Sequence, residues 1–380
     1  MGPQGQNPEL IEFYASAAPG TEEAVRDELS ELGFRSVRLN RGGVPFFGDW
    51  PEGWRACLQC RTAQRIMAVL GRFPAAGPEA LYEAVRAVDW TCCLSPRHTL
   101  AVSAFVQSSA ITHSGFAALR VKDAIVDQLR DRCGQRPDVA RDEPDVRVFL
   151  YLNQDRATLY LDLSGEALFR RGYRLGAGEA PLKETLAAAI LRLSGWDREQ
   201  GLVDPMCGSG TFPIEAALWA GNVAPGLFRE RFGFERWASF DATAAATLAS
   251  LRGELRASAH GQHPGITAMD IDEAVLEVAR RNARQAGLRL RFRQAAIRDL
   301  RPDGGPPRLL VVNPPYGERL EADPRLYQEM GTALSRLSGW RLAVLAGSPL
   351  IERAMPLRPS RRHALRNGDL PCELLLYDVH

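Results

Sequence analysis

Lysine is nearly missing from these 380 residues: of 47 basic side chains only Lys122 and Lys183 are lysine, and the rest are arginine. The formal net charge is +1 against 46 acidic residues, which excludes a protein that coats nucleic acid through bulk charge. Any contact with a polyanion must therefore come from where the arginines sit. Long apolar runs are also lacking; nothing approaches the roughly 18 uninterrupted apolar residues of a membrane span. Residues 1–10 (MGPQGQNPEL) do not have the charged-then-apolar order of a signal peptide, so a cytoplasmic protein is expected. The seven cysteines are odd in number and scattered through a chain long enough to build its own core, which points to reduced thiols. Cys57 and Cys60 have metal-ligand spacing but no second pair, and no metal is expected. Repeats of 20 to 50 residues and low-complexity tracts are absent as well, which removes solenoids and disordered tails.

What is present has two grammars. The opening reads as β-α-β-β: a strand over 11–16, a helix over 21–32, and strands near 36–40 and 44–47, a pattern that suits a small ferredoxin-like unit. A helix over 54–69, another over 80–88, strands over 99–106, 146–152 and 157–162, and a helix over 115–130 make a second α+β unit. Residues 165–179 (GEALFRRGYRLGAGE) are rich in glycine and arginine and short of apolar periodicity, as in a linker or functional crossing. Beyond Pro181, helices alternate with short strands such as 201–203, 266–269, 288–292, 309–312 and 342–346. Strands apolar on both faces and separated by helices indicate a parallel sheet covered on both sides. Asn367-Gly368 marks a hairpin that could add an antiparallel edge.

Three segments carry chemistry. In DPMCGSGT (204–211) a glycine-rich turn follows a strand and opens a helix, the place where a nucleotide-like cofactor lies in a doubly wound sheet. A phosphate loop would want lysine there; the carboxylate of Asp204 suits a cationic amino-acid moiety instead, and S-adenosylmethionine carries an ammonium and a sulfonium. In MDID (269–272) an acidic residue at the end of the second strand can hold ribose hydroxyls, and Asp270 is the candidate; Asp272 is either a further cofactor contact or the N-cap of the next helix. In NPPYG (313–317) two prolines stop a strand and leave carbonyls without ladder partners. An amino group conjugated to a base is a poor nucleophile, and acceptors on both its N–H bonds favour the pyramidal form that attacks. Asn313 Oδ1 and the Pro314 carbonyl can supply them, with Tyr316 as a stacking ring.

In this order the three motifs resemble a class I, Rossmann-like methyltransferase of the amino-methylating group. More narrowly, RGYR (171–174), APLKETL (180–186) and NPPYGERL (313–320) resemble the bacterial large-subunit rRNA guanine-N2 methyltransferases that carry a THUMP domain. ASAAPG (15–20), VKDAIVD (121–127) and LDLSG (161–165) are similar to that family's ferredoxin-like and THUMP regions, so the resemblance covers nearly the whole chain. The fold class it implies is α/β, a Rossmann-like methyltransferase domain preceded by α+β ferredoxin-like and THUMP domains. The divisions expected are 9–52 for the ferredoxin-like unit, 53–164 for THUMP, and 165–380 for linker and methyltransferase. Some members carry a second methyltransferase domain, and these 380 residues are expected to stop before one.

Residue by residue, the resemblance implies that Asp204, Pro205, Cys207, Gly208, Gly210 and Thr211 border the methionine part of S-adenosylmethionine, and that Asp270 holds its ribose. Asn313, Pro314, Pro315 and Tyr316 form the acceptor loop. Where many such enzymes place an Asp for the adenine, this sequence has Ala296 within RQAAI (293–297), which leaves backbone groups or Asp299 as substitutes. The expected partner is RNA, as large-subunit rRNA or an assembly intermediate, touched by Lys122, Arg171, Tyr173, Arg174 and Lys183. The arginines at 280, 281, 284, 289, 291 and 293 read as solvated surface. An acceptor loop of this kind also serves N6-adenine methyltransferases and enzymes that methylate glutamine, and a non-catalytic RNA-binding scaffold is the remaining class. The THUMP-like half favours RNA, and the joint presence of Asp204, Asp270 and NPPY favours catalysis.

Overall fold

Alternation of apolar side chains builds two seven-stranded sheets in the computed structural model, which describes residues 10–175, 182–302, 304–316 and 324–380. The first half runs β1 (Ile11–Ser16), α1 (Glu22–Glu31), β2 (Gly43–Gly48), α2 (Trp50–Gln59), β3 (Arg65–Pro74), α3 (Pro78–Arg86), β4 (Thr99–Gln107), α4 (Ser114–Cys133), β5 (Asp138–Val139), β6 (Val146–Asn153) and β7 (Arg156–Asp162). Its strands join in the order β2-β1-β3-β7-β6-β4-β5, so the β-α-β-β opening and the second α+β unit share one sheet. Val25 of α1, Leu58 of α2, Leu81 of α3 and Ile125 of α4 pack in a single core against Phe13, Ile66, Leu150 and Leu159 on one face of it. No helix among the described residues is long and apolar enough to cross a membrane.

The second half runs α5 (Glu184–Leu193), β8 (Leu202–Asp204), α6 (Thr211–Ala220), α7 (Ala242–Ser258), β9 (Ile266–Asp270), α8 (Glu273–Gln285), β10 (Arg291–Gln294), β11 (Leu309–Val312), α9 (Pro324–Leu334), β12 (Arg341–Ala346), α10 (Pro349–Ala354), β13 (Arg361–Asn367) and β14 (Leu370–Asp378). The sheet order is β10-β9-β8-β11-β12-β14-β13. Strands β8 to β12 pair in parallel and the β13/β14 hairpin closes the edge antiparallel. Leu309, Val311 and Leu345 pack toward α5, α6 and α8, while Leu310, Val312 and Val344 pack toward α9 and α10. Both faces are covered, which is why these strands read as continuous apolar runs. The chain order reverses between β8 and β11, and the carboxyl ends on either side of that switch form the crevice where ligands bind in such sheets.

Three expectations about elements change. The helix expected over 54–69 is α2 followed by β3. Asp49 caps α2 in a capping box with Glu52. The helix then ends at Cys60, because the Glu28 carboxylate of α1 accepts from the Arg61 and Thr62 N–H groups. That frees Ile66 and Ala68 to pair with β1. The strand expected over 36–40 is reduced to isolated bridges from Arg35 to Phe47 and Asn40 to Gly43. Leu288 lies in the closure that follows α8 rather than in a strand: Gly287 N–H donates to the Arg284 carbonyl and Leu288 N–H to that of Ala283, a Schellman closure, and β10 starts only at Arg291.

Helix α7 and the chain before it also pack away from the parallel sheet, against the first half. Trp54 of α2 stacks on Phe234 at 5.3 Å and meets Phe240 edge-on at 5.9 Å, while Trp50 meets Trp237 edge-on at 5.5 Å. Phe232, Phe234, Trp237 and Leu248 are thus part of the first core. Phe234→Ala, which empties a site of 0% exposure, is expected to lower unfolding free energy by about 3–5 kcal/mol. Urea denaturation checks it, and a loss below 1 kcal/mol would show that the two halves do not depend on this contact.

Candidate functional site

The turn after β8 is held from three directions. Cys207 N–H donates to the Met269 carbonyl at 2.8 Å and Gly208 N–H to Asp270 Oδ2 at 3.0 Å, which pins the turn to the end of β9. Gly208 and Gly210 have φ of +52° and +87°, left-handed values that L side chains rarely adopt, and nothing lies within 4 Å of where a Gly208 Cβ would stand. From the linker, Arg174 reaches over: its guanidinium donates to Ser209 Oγ and Thr211 Oγ1, both at 2.9 Å, to the Leu182 carbonyl, and to Glu184 at 2.7 Å. From α8, Asn282 donates to the Ser209 carbonyl at 3.0 Å and accepts from Leu175 N–H at 2.9 Å. Pro205 continues this turn from Asp204, and Thr211 opens α6.

Two carboxylates flank the turn. Asp204 is 1% exposed and, among the described residues, accepts only from Met206 N–H, at 3.1 Å. Burial pushes its carboxyl well above the usual range; the Met206 N–H works the other way and the Asp270 charge adds to the rise. Asp270 accepts from Gly208 N–H and, at 3.1 Å, from Asp272 N–H, and each of its oxygens keeps a second lone pair. Asp272 caps α8 through Ala274 N–H at 2.8 Å. Between the two aspartates Ile271 is 64% exposed, a large apolar side chain at the cleft that the sequence reading passed over. Cys207 is buried, and burial followed by the Asp204 and Asp270 charges pushes its thiol far up, which makes it inert. A buried carboxylate with no cation beside it among the described residues, next to backbone turns open to close approach, fits a ligand that brings an ammonium and a ribose. Ala296 precedes a 3₁₀ turn, and its carbonyl accepts from Asp299 N–H.

The acceptor loop leaves β11 beside this turn, since Leu309 and Leu310 pair with Leu202 and Val203. Asn313 Oδ1 is buried and has no hydrogen-bond partner among the described residues. The Pro315 carbonyl is taken by the Tyr327 hydroxyl of α9 at 2.6 Å. Pro314 lies between these two, and its ring is buried. Tyr316 lies against Gly347, where any Cβ would run into its ring, and its hydroxyl accepts from Asn367 Nδ2 at 2.9 Å. Burial pushes the Tyr316 hydroxyl up to about 12. The sequence does not single out Tyr327 and marks Asn367 only as a hairpin turn, because both reach the loop through tertiary contact. Gly317, the ERL motif after it, and Ala180 and Pro181 of the linker motif lie outside the described residues.

The expected RNA contacts divide. Arg171 and Tyr173 are 2% and 1% exposed and cannot meet RNA. The Arg171 guanidinium pairs with Glu215 of α6 at 3.3 Å and donates to the Leu168 and Arg61 carbonyls, while the Tyr173 hydroxyl donates to Glu215 at 2.9 Å. They were placed at a surface because arginine and tyrosine in a glycine-rich linker read as exposed; Glu215, alone in the apolar run TFPIEAALWA, was the available sign of a buried partner. Arg174 is partly buried and serves the turn after β8. Lys122 is half-buried and pairs with Asp123 at 2.7 Å, and Lys183 lies 5.2 Å from the centre of the Phe169 ring.

Residues 171–375 match the RMKL-like methyltransferase domain, residues 75–162 the THUMP domain and residues 12–67 the RlmL ferredoxin-like domain. The chain belongs to the RMKL-like methyltransferases. Within that family it is 44% identical over 382 aligned residues to the ribosomal RNA large subunit methyltransferase K/L of Methylococcus capsulatus, covering 98% of this chain and 52% of that protein. It spans about half the length of the curated relatives it matches. The structure of SMU.472 in complex with SAH superposes with a TM-score of 0.86 at 33% identity, covering 98% of this chain and 99% of that one. A Listeria monocytogenes protein, named a predicted N6-adenine-specific DNA methylase, gives 0.86 at 33% identity, covering 97% and 96%. In this methyltransferase domain the raised Asp204 carboxyl has a consequence for the unliganded protein. Its folded form holds a proton that the unfolded chain releases near pH 4, so stability falls as pH rises from there toward the folded value. Asp204→Asn is neutral at every pH and is expected to melt above the parent at pH 7 to 8, with the gap closing in acid. Melting curves against pH check this, and a variant that melts below the parent at neutral pH would contradict it.

Proposed function

We propose that the chain transfers a methyl group from S-adenosylmethionine to an exocyclic base amine in RNA, guanine N2 of 23S rRNA. The observation that carries this reading is Asn313 Oδ1, a buried acceptor without a donor among the described residues, beside the turn after β8. An orphaned buried acceptor is costly unless a ligand satisfies it. A base amine bonded to Asn313 Oδ1 and to the Pro314 carbonyl has both N–H bonds engaged, and its lone pair is released toward the methyl carbon. S-adenosylmethionine, when bound, would supply that electrophilic carbon, the S–C bond breaking as the N–C bond forms, and the methylated nitrogen would give up one proton to water. Asp204 meets the ammonium, Asp270 the ribose and Ile271 the face of the adenine, in place of the carboxylate lacking at Ala296. Tyr316, fixed by Asn367 and Gly347, borders the place of the extruded base.

RNA as substrate is supported by the THUMP match and by the likeness to ribosomal RNA large subunit methyltransferases K/L, with Lys122 and Lys183 kept as contacts in this reading. The second reading, N6-adenine methylation, is favoured by the name of the Listeria neighbour. Asn313→Ala is expected to lower kcat by about a hundredfold or more, the scale of one lost polar group aimed at a reacting centre, while S-adenosylmethionine binding by calorimetry changes little. Unchanged turnover would remove Asn313 from the mechanism. Nucleoside mass spectrometry of rRNA from a deletion strain decides between the bases: loss of N2-methylguanosine supports the first reading and loss of N6-methyladenosine the second.

A further inference from the structure

The face of the first sheet turned away from the helices carries a row of aromatic rings. Along β4, β6 and β7 the residues opposite the core positions Leu100, Leu150 and Leu159 point outward. Phe105 stands opposite Tyr151, and Tyr151 opposite Thr158. The Phe105 and Tyr151 rings are 5.6 Å apart and 3° from parallel, with exposures of 47% and 37%. The row continues inward through Phe149 and Tyr160, 6.0 Å apart, and Tyr14, 5.6 Å from Tyr160. On the outer side Gln107, Asn153 and Arg156 line up across the strands with amide and guanidinium donors.

Both signs of charge lie on this face: the arginines at 65, 72, 147 and 156 share it with Glu12, Asp162 and, on β5 opposite Thr99, Asp138. Arg72 is spent on a two-point pair with Glu12, and Arg65 on Asp162 and the Gly165 carbonyl. Arg147, half-buried and attracted by Asp162, Glu166 and Asp142, and Arg156, exposed, flank the rings along β6 and β7. Where the sheet ends at Asp162, the chain enters the linker that carries Arg174 to the turn after β8, so the face is continuous in sequence with the site.

We infer that this sheet face binds an unpaired stretch of RNA, with bases laid on Phe105 and Tyr151 and phosphates met by Arg147 and Arg156. The inference rests on the proposed RNA substrate. Flat rings open to solvent are usable by unpaired bases and not by a duplex, whose base faces are already stacked, and sheet aromatics flanked by basic and amide side chains are the chemistry that takes single strands. Arg156 and the Gln107 and Asn153 amides at the exposed end of the row are donors that phosphates would engage and an apolar protein partner would not.

The test is fluorescence anisotropy on the full chain with a short labelled single-stranded RNA and with the duplex made from the same strand. The double variant Phe105→Ala/Tyr151→Ala is expected to weaken single-strand binding by about tenfold or more, as for one or two lost base stacks, with duplex binding and melting temperature unchanged. Tyr151→Phe, which keeps the ring, is expected to bind as the parent does. Arg156→Gln is expected to reduce the salt slope by about one. Parental affinity of the folded double variant for the single strand overturns the inference. So does an equal loss on both RNAs, or a parent dimer in sedimentation that the double variant breaks, which would assign the face to a second copy. Methyl transfer to rRNA, measured in parallel, separates the two levels: a parent that methylates rRNA while the variants bind normally removes the sheet face alone, and a parent that neither binds nor methylates RNA removes the reading beneath it.

Discussion

One buried ion pair fixes how the two sheets face each other. Arg171 and Glu215 are 2% and 0% exposed, and two charges so far from water are tolerated only when every remaining donor and acceptor is used. Here they are used by parts of the chain that must then meet in one arrangement. The Arg171 guanidinium takes the Arg61 carbonyl from the first half and the Leu168 carbonyl from the linker, and Tyr173 completes Glu215. Glu215 lies on α6, the helix that opens from the glycine turn, so the contact with the first half and the orientation of the candidate cofactor turn are set by the same carboxylate.

A second buried carboxylate extends this network. Burial acts to raise Glu28, yet it is held below the usual carboxylate range by Arg192 and Arg61, with the Thr62 hydroxyl and Cys60 thiol donating to it. Arg192 comes from α5 of the second half, and Arg61 also donates to the Val223 carbonyl, so charge again crosses the junction. The aromatic contact of Trp54 with Phe234 covers another part of the same boundary. Apolar area supplies much of the attraction, and the charge network narrows the allowed geometries to one.

Against this background Asp204 is the exception. Glu28, Glu184 and Glu215 are each buried beside an arginine, whereas Asp204 is buried with one backbone N–H and a second carboxylate nearby. Asn313 Oδ1 is a second polar atom left open, and both lie at the carboxyl ends of adjacent strands. These two open acceptors lie where the proposed ligands bring an ammonium and an amine.

The sequence by itself determined the alternating pattern of the second half, the switch-point turn at 204–211 and the loop at 313–316. Each is a local signal: glycines with special backbone angles, prolines that end a strand, apolar runs of strand length. Only the tertiary structure decided that the chain after Gln59 is strand rather than helix, that α7 belongs with the first half, and that RGYR points inward. In all three cases the deciding partner is far away in sequence: Glu28 for Arg61, Trp54 for Phe234, Glu215 for Arg171. Propensity and spacing report on neighbours along the chain. Which buried charge finds which carboxylate depends on desolvation and geometry that exist only once the sheets have met.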